Sequence, residues 1–291
     1  MGYERYFENI QRKFNYDKEI MDVVCPAFRA LVNYYCNYDQ YFNKIYNLFM
    51  NTQIIAYDIH MNNETGNDFT EKENLMRLYS DKTEEEINCH VVYEGGELLH
   101  KVINNQVINT VIVKRINGKI ELETVIHELI HGLVTSPTVI YKNGESYIRS
   151  GISKRVLTPV DYVTNHSIEE GFTEYDTMMA CYSIGHMVEP SPKYYYLYDY
   201  AKTIMDDGYI NKLITKTRLD GVNYLKEIKD ENYKDILFSY INNFENVSRY
   251  KYNNYNEMTR LIDLSKENVK KILKIKKDNL DYLFLFYFFF I

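Results

Sequence analysis

The chain has 291 residues, enough to bury a sizeable core in one large domain or two lobes, and its composition is that of a globular protein. A formal charge of −7 and a pI near 5.6 exclude a general nucleic-acid binder, because neutralising a phosphate backbone takes a basic surface. The 30 tyrosines occur in a chain without tryptophan and rich in Asn, Ile and Lys, whose codons are rich in A and T. Gene base composition therefore explains them better than aromatic recognition.

The amino terminus mixes charges from its fourth residue onward and lacks the apolar core of a secretion signal, which predicts a cytoplasmic protein while leaving non-classical release open. Residues 1–50 carry apolar side chains at helical spacings, and Pro26 predicts a break between two helices. Residues 53–81 read as mixed, with turn-prone positions at 62–68 and a short helix over 71–79. Strand signals follow at 89–93, 98–102, 107–116 and 120–122, with Gly95-Gly96 as a turn and Asn117-Gly118 as a hairpin. Asn143-Gly144 predicts a second hairpin, between 138–141 and 146–149. After Pro159 the pattern is helical: a helix opening near Asn165 and reaching toward His186, a break at Pro190-Ser191-Pro192, and further helices over 194–205, 209–215, 222–227, 233–246, 256–264 and 267–284.

Cys25, Cys36, Cys89 and Cys181 lie far apart without a Cys-x-x-Cys pair, so free thiols are expected rather than a Cys-based metal site or a disulfide framework. The apolar tail 283–291 is about half of a membrane-spanning helix. No transmembrane segment is expected; the tail is read as buried in the core or in an interface, with contact to a membrane as the alternative.

Between the two hairpins lies the stretch that carries chemistry, His127-Glu128-Leu129-Ile130-His131. On a helix the two histidines fall about 40° apart and Glu128 about 60° from His131, while Leu122, Val125, Ile126, Leu129, Ile130, Leu133 and Val134 occupy the opposite side. An i, i+4 histidine pair presents two imidazole nitrogens to one zinc ion, and a carboxylate beside the first can take a proton from water held by that ion. The plainer reading is an amphipathic helix with two unliganded histidines. Gly132 is a poor helix former, costing about 1 kcal/mol against Ala, which predicts a close approach of another backbone.

Zinc needs a third protein ligand, and Glu170 is the candidate, with Glu169 as the alternative. Glu174, one turn further on, shares its face and could accept the outward N–H of a ligating histidine. In the competing reading Ser167 and Glu170 form a helix-capping box and meet no metal.

His127 to His131 followed by Glu170-Gly171-Phe172-Thr173-Glu174-Tyr175 resembles the gluzincin class of zinc metallopeptidases. The resemblance spans residues 127–175 and implies His127, His131 and Glu170 as ligands of one zinc ion, Glu128 as general base and Glu174 as the acid that orients a ligating histidine. It also implies an α+β, zincin-like fold: an N-terminal mixed lobe over 1–134, a hairpin and C-terminal helical lobe over 135–291, and the active-site helix between them. Thirty-eight residues separate His131 from Glu170, longer than is usual in the class, with the Asn143-Gly144 hairpin accounting for the excess. The Gly-x-Met-Glu-Asn sequence of related aminopeptidases is missing, and position 137 is Pro rather than the third histidine of metzincins.

Tyr175, Tyr182, His186 and the pair Arg249 and Tyr252 are candidates for stabilising an oxyanion, each with a structural role as its default, as have the lone histidines His60, His90, His100 and His166. The expected activity is hydrolysis of a peptide or protein substrate, and the 107–122 hairpin is the expected edge for an extended substrate. Rival readings are a regulatory protease that cuts a single partner protein and a zinc-binding or structural protein without turnover.

Overall fold

The computed structural model describes residues 3–36, 41–62, 66–80, 82–83, 85–87, 95–103, 106–156, 162–191, 194–249, 260, 263–264, 266–267 and 269–271. It is a mixed α/β chain, mostly helical with small sheets, in keeping with an α+β class. Two compact units divide it: Met1–Leu133 with Asp176–Glu189, and Val134–Tyr175 with Pro190–Ile291. The segment Asp176–Glu189, which a single cut after residue 134 would place in the second lobe, belongs with the first unit.

In the first unit, α1 (Tyr3–Phe14), α2 (Lys18–Tyr35) and α3 (Phe42–Met50) bury Ile10, Phe14, Val24, Phe28, Leu31 and Ile45. Pro26 does not break the chain, since α2 runs through it. The break lies earlier, where Asp17 accepts hydrogen bonds from the Glu19 and Ile20 amides at 2.8 and 3.2 Å and so caps α2. Burial of Val24, Ala27 and Phe28 on either side of the proline offsets the backbone bond it forfeits, which costs about 3 kcal/mol in an exposed helix. Lys13 donates to the carbonyls of Phe49, Met50 and Thr52 at 2.6–2.7 Å, closing the carboxy end of α3 and tying it to α1.

The strand β1 (Thr52–Tyr57) runs parallel to β5 (Gln106–Lys114), which pairs antiparallel with β4 (Gly96–Ile103); the sheet order is β1-β5-β4. A short hairpin, β2 (Ile59–Asn62) with β3 (Gly66–Phe69), and α4 (Lys72–Leu78) lie between β1 and β4 in sequence. Asn117 and Gly118, both at positive φ, form a tight turn closed by a single bridge between Ile116 and Lys119, not the expected hairpin. Only two residues separate Lys119 from the helix α5 (Leu122–Val134), which leaves no room for a second strand. The expected strand at 89–93, with Cys89 and His90, lies outside the described residues, as do Pro192, Tyr252 and the tail 283–291. Asp176, wholly buried at the first unit's end of α6 (His166–Ser183), accepts the hydroxyls of Tyr34 and Tyr35 at 2.6 and 2.7 Å.

The second unit contains a four-stranded antiparallel meander, β6 (Thr135–Lys142), β7 (Glu145–Ser150), β8 (Ser153–Val156) and β9 (Tyr162–Thr164). Its first turn is the expected Asn143-Gly144, both residues at positive φ as a two-residue hairpin demands. The last two strands extend a hairpin the sequence suggested into a sheet it did not. The helices α7 (Tyr195–Met205), α8 (Gly208–Asp220) and α9 (Glu231–Arg249), with a 3-10 turn at Tyr224–Glu227, complete the described part. Tyr200 and Tyr240 stack at 4.1 Å and each donates its hydroxyl to the other's carbonyl, so these tyrosines serve the core.

Candidate metal centre

Helix α5 buries Val125, Ile126, Leu129, Ile130, Leu133 and Val134 almost completely, as its periodicity requires. Gly132 admits Leu48 and Leu98: a Cβ there would stand 2.8 Å from Leu48 Cδ1. The close approach is by two side chains, not by a backbone. On the other face His127 and Glu128 are 6 % and 8 % exposed, and the Nε2 atoms of His127 and His131 stand 3.1 Å apart. Two nitrogens bound to one tetrahedral zinc are about 3.3 Å apart, so the helix holds the pair at the spacing one ion requires. Gly96, the first residue of β4, packs beside the motif: a Cβ there would lie 2.8 Å from Thr124 Cγ2 and 3.0 Å from Glu128 Oε1.

Glu170 stands in the first turns of α6, 12 % exposed at its side chain and with His166 Nδ1 3.6 Å away. His127, His131 and Glu170 form a group that could hold a metal ion. Each offers one ligand atom, and those atoms all lie within 4.8 Å of one another; among the described residues this is the one such group of three or more His, Cys, Asp or Glu. A donor set of two imidazoles and one carboxylate suits zinc.

Glu169 and Glu174, near Glu170 on the same helix, are both buried and hydrogen-bonded. Glu169 is 1 % exposed, accepts Arg218 Nε at 2.7 Å and the Ile152 amide at 2.8 Å, and lies against Gly151, where a Cβ would meet its carboxylate at 2.1 Å. That contact set makes Glu169 an anchor of α6 rather than an alternative ligand. Glu174, 3 % exposed, accepts the Ser191 amide at 2.8 Å. Gly171 lets α7 pass close, since a Cβ there would lie 2.5 Å from the Leu197 carbonyl oxygen.

The oxyanion candidates disperse. Tyr175 donates to the Met205 carbonyl at 3.3 Å and stacks on Tyr198, and Tyr182 donates to the Val188 carbonyl at 3.0 Å. His186 Nε2 lies 3.4 Å from Glu123 Oε2, and Glu123 is one helical turn before His127. Arg249 ends α9, and its intended partner Tyr252 lies outside the described residues. His100, on β4, has its Nδ1 2.7 Å from Asn109 Oδ1. Desolvation lowers its pKa; the Asn109 hydrogen bond opposes the shift, and the nearby His131 ring adds to it.

The sequence does not single out Arg218, Glu123 or Asp176, and Gly96, read there as part of a turn, opens β4. A buried Arg inside an otherwise ordinary helix and an acid directly after Glu174-Tyr175 carry no local signature, because their partners come from distant segments. Among the described residues, Cys25, Cys36 and Cys181 take part in no disulfide. No helix among the described residues is long and apolar enough to cross a membrane. No family model, curated protein or solved structure matches the chain.

Proposed function

We propose that the chain is a zinc-dependent metallopeptidase of the gluzincin kind with a zincin-like fold, in which His127, His131 and Glu170 are the ligands and Glu128 is the general base. The observation that carries this reading is the grouping of the Glu170 carboxylate with both imidazoles of a His-Glu-x-x-His helix. Bound zinc supplies a Lewis acid that polarises a scissile carbonyl and lowers the pKa of water toward about 7. Glu128 takes the proton of the attacking water and delivers it to the leaving nitrogen as the C–N bond breaks, so the carboxylate is regenerated in each turnover. Its burial keeps bulk water from competing for that proton. Among the described residues β4 pairs with β5 alone, and its other edge offers a place for an extended peptide, in place of the 107–122 hairpin that does not form.

The test is Glu128→Gln. Zinc stoichiometry should match the parent, while hydrolysis of a casein digest or a peptide library should fall by about 10²–10⁴, the usual contribution of a general base. Hydrolysis at the parental rate would remove Glu128 from the reaction. Many cuts in casein indicate a general peptidase, whereas none in casein and one in a single cellular protein indicate a regulatory protease.

A further inference from the structure

The second unit holds a cavity of about 380 Å³, within the range of small-molecule sites. Its lining is in part apolar, with Ile152, Leu225, Phe238 and Ile241, and includes two cations, Arg149 and Lys154. No carboxylate lines it. Lys154 is engaged, pairing with Glu145 at 2.5 Å and lying over the Tyr147 ring.

Arg149 is different. Its Nη1 donates to the carbonyls of Gly151 and Arg218, each at 2.9 Å, which fixes the guanidinium against the end of α8. The remaining edge, Nε and Nη2, makes no hydrogen bond to the described residues, and no carboxylate among them forms an ion pair with it. These two atoms are the parallel donors that receive a planar carboxylate in two hydrogen bonds. Gly221, at φ 73°, packs against the guanidinium: a Cβ there would lie 2.7 Å from Cζ and Nη2, so the close approach requires glycine. The acids in electrostatic reach are Glu169 and Asp220, the first bound to Arg218 and the second accepting the Tyr224 hydroxyl. Burial lowers the Arg149 pKa despite them, so the cation is undercompensated where it stands. Asn223, which also lines the cavity, uses its side-chain oxygen on the Leu225 amide and keeps its NH₂ as a further donor.

We propose that this cavity binds a small monocarboxylate with an apolar body, its carboxylate forked on Nε and Nη2 of Arg149 and its hydrocarbon against Phe238 and Ile241. The site is separate from the His127, His131 and Glu170 group and needs no metal. Isothermal titration of the full chain with phenylacetate, phenylacetamide and inorganic phosphate tests it, with and without a chelator. Phenylacetate should bind saturably, at least about tenfold tighter than the amide or phosphate, and equally well with the chelator present. Arg149→Gln should weaken it at least about tenfold. Asn223→Asp, which keeps an acceptor for the Leu225 amide while adding a negative charge to the cavity lining, should weaken it as well, and serves if Arg149→Gln fails to fold. Each of four results would overturn the assignment: no saturable binding of phenylacetate, equal binding of amide or phosphate, loss of binding with the chelator, or parental affinity in a folded variant.

Discussion

Replacing Arg218 by Met strands the carboxylate of Glu169 in the core of the second unit. The two side chains are 1 % and 2 % exposed and 2.7 Å apart, and Arg218 Nη2 also donates to Thr173 Oγ1 at 2.9 Å. Methionine fills much of the space and offers neither charge nor donor. Removing one partner of a buried pair costs about 3–5 kcal/mol. Arg149 remains in electrostatic reach of Glu169, so the lower end, about 3 kcal/mol, is expected. At roughly 2–4 °C per kcal/mol, the midpoint of thermal unfolding should fall by about 6–12 °C. The stranded acid recovers part of this loss by taking up a proton, which raises its folded-state pKa above the unfolded value near 4.3. A raised pKa stabilises below the unfolded value and loses that contribution as pH rises through the folded value, so the deficit should be smaller at pH 5 than at pH 8. Circular-dichroism melts at those two pH values, on the parent, on Arg218→Met and on Glu169→Gln with Arg218→Met, are the assay. The double variant keeps an acceptor for the Ile152 amide without a charge and should recover most of the loss. A deficit below about 1 kcal/mol, the same at both pH values, or no recovery in the double variant, would refute the account of Glu169 as a charged, Arg-compensated anchor.

Three further outcomes are expected. Glu170→Ala should lower zinc affinity, measured by competition with a chelating dye, by more than the roughly 10–100-fold that loss of a partner outside the ligand set costs, and by more than Glu174→Gln does; equal losses would move the third ligand elsewhere. Asp176→Ala removes an acceptor shared by two tyrosine hydroxyls and should destabilise the chain by about 3 kcal/mol in urea melts, whereas a loss under about 1 kcal/mol would mean that Tyr34 and Tyr35 are satisfied without it. Burial raises the pKa values of Tyr79, Tyr233 and Tyr240, so each adds stability that is complete below the unfolded value of about 10 and is lost as pH rises above it. Unfolding free energy should therefore fall between pH 9 and 11 in urea titrations, and a flat profile would contradict that burial.

Where the deciding interactions are local, the sequence alone was sufficient. The face of α5 that buries and the face that bears His127, Glu128 and His131 follow from a 3.6-residue period, and the turn at Asn143-Gly144 follows from the positive φ those residues tolerate. Pro26 and Asn117-Gly118 mark the limit of that logic. Packing around Val24, Ala27 and Phe28 holds α2 together across a residue that ought to end it, and the start of α5 at Leu122 leaves no length for the second strand of the Asn117-Gly118 hairpin. Only the tertiary structure could pair β1 with β5 across 48 residues of intervening chain, add β8 and β9 to the Asn143-Gly144 hairpin, or choose between two adjacent acids. Glu169 and Glu170 are indistinguishable as letters, yet they point about 100° apart on one helix. Arg218, forty-nine residues away from Glu169, takes that acid for the core, while Glu170 joins the two imidazoles. Periodicity specifies which side of a helix a residue occupies; what waits on that side depends on segments whose arrival no local pattern encodes.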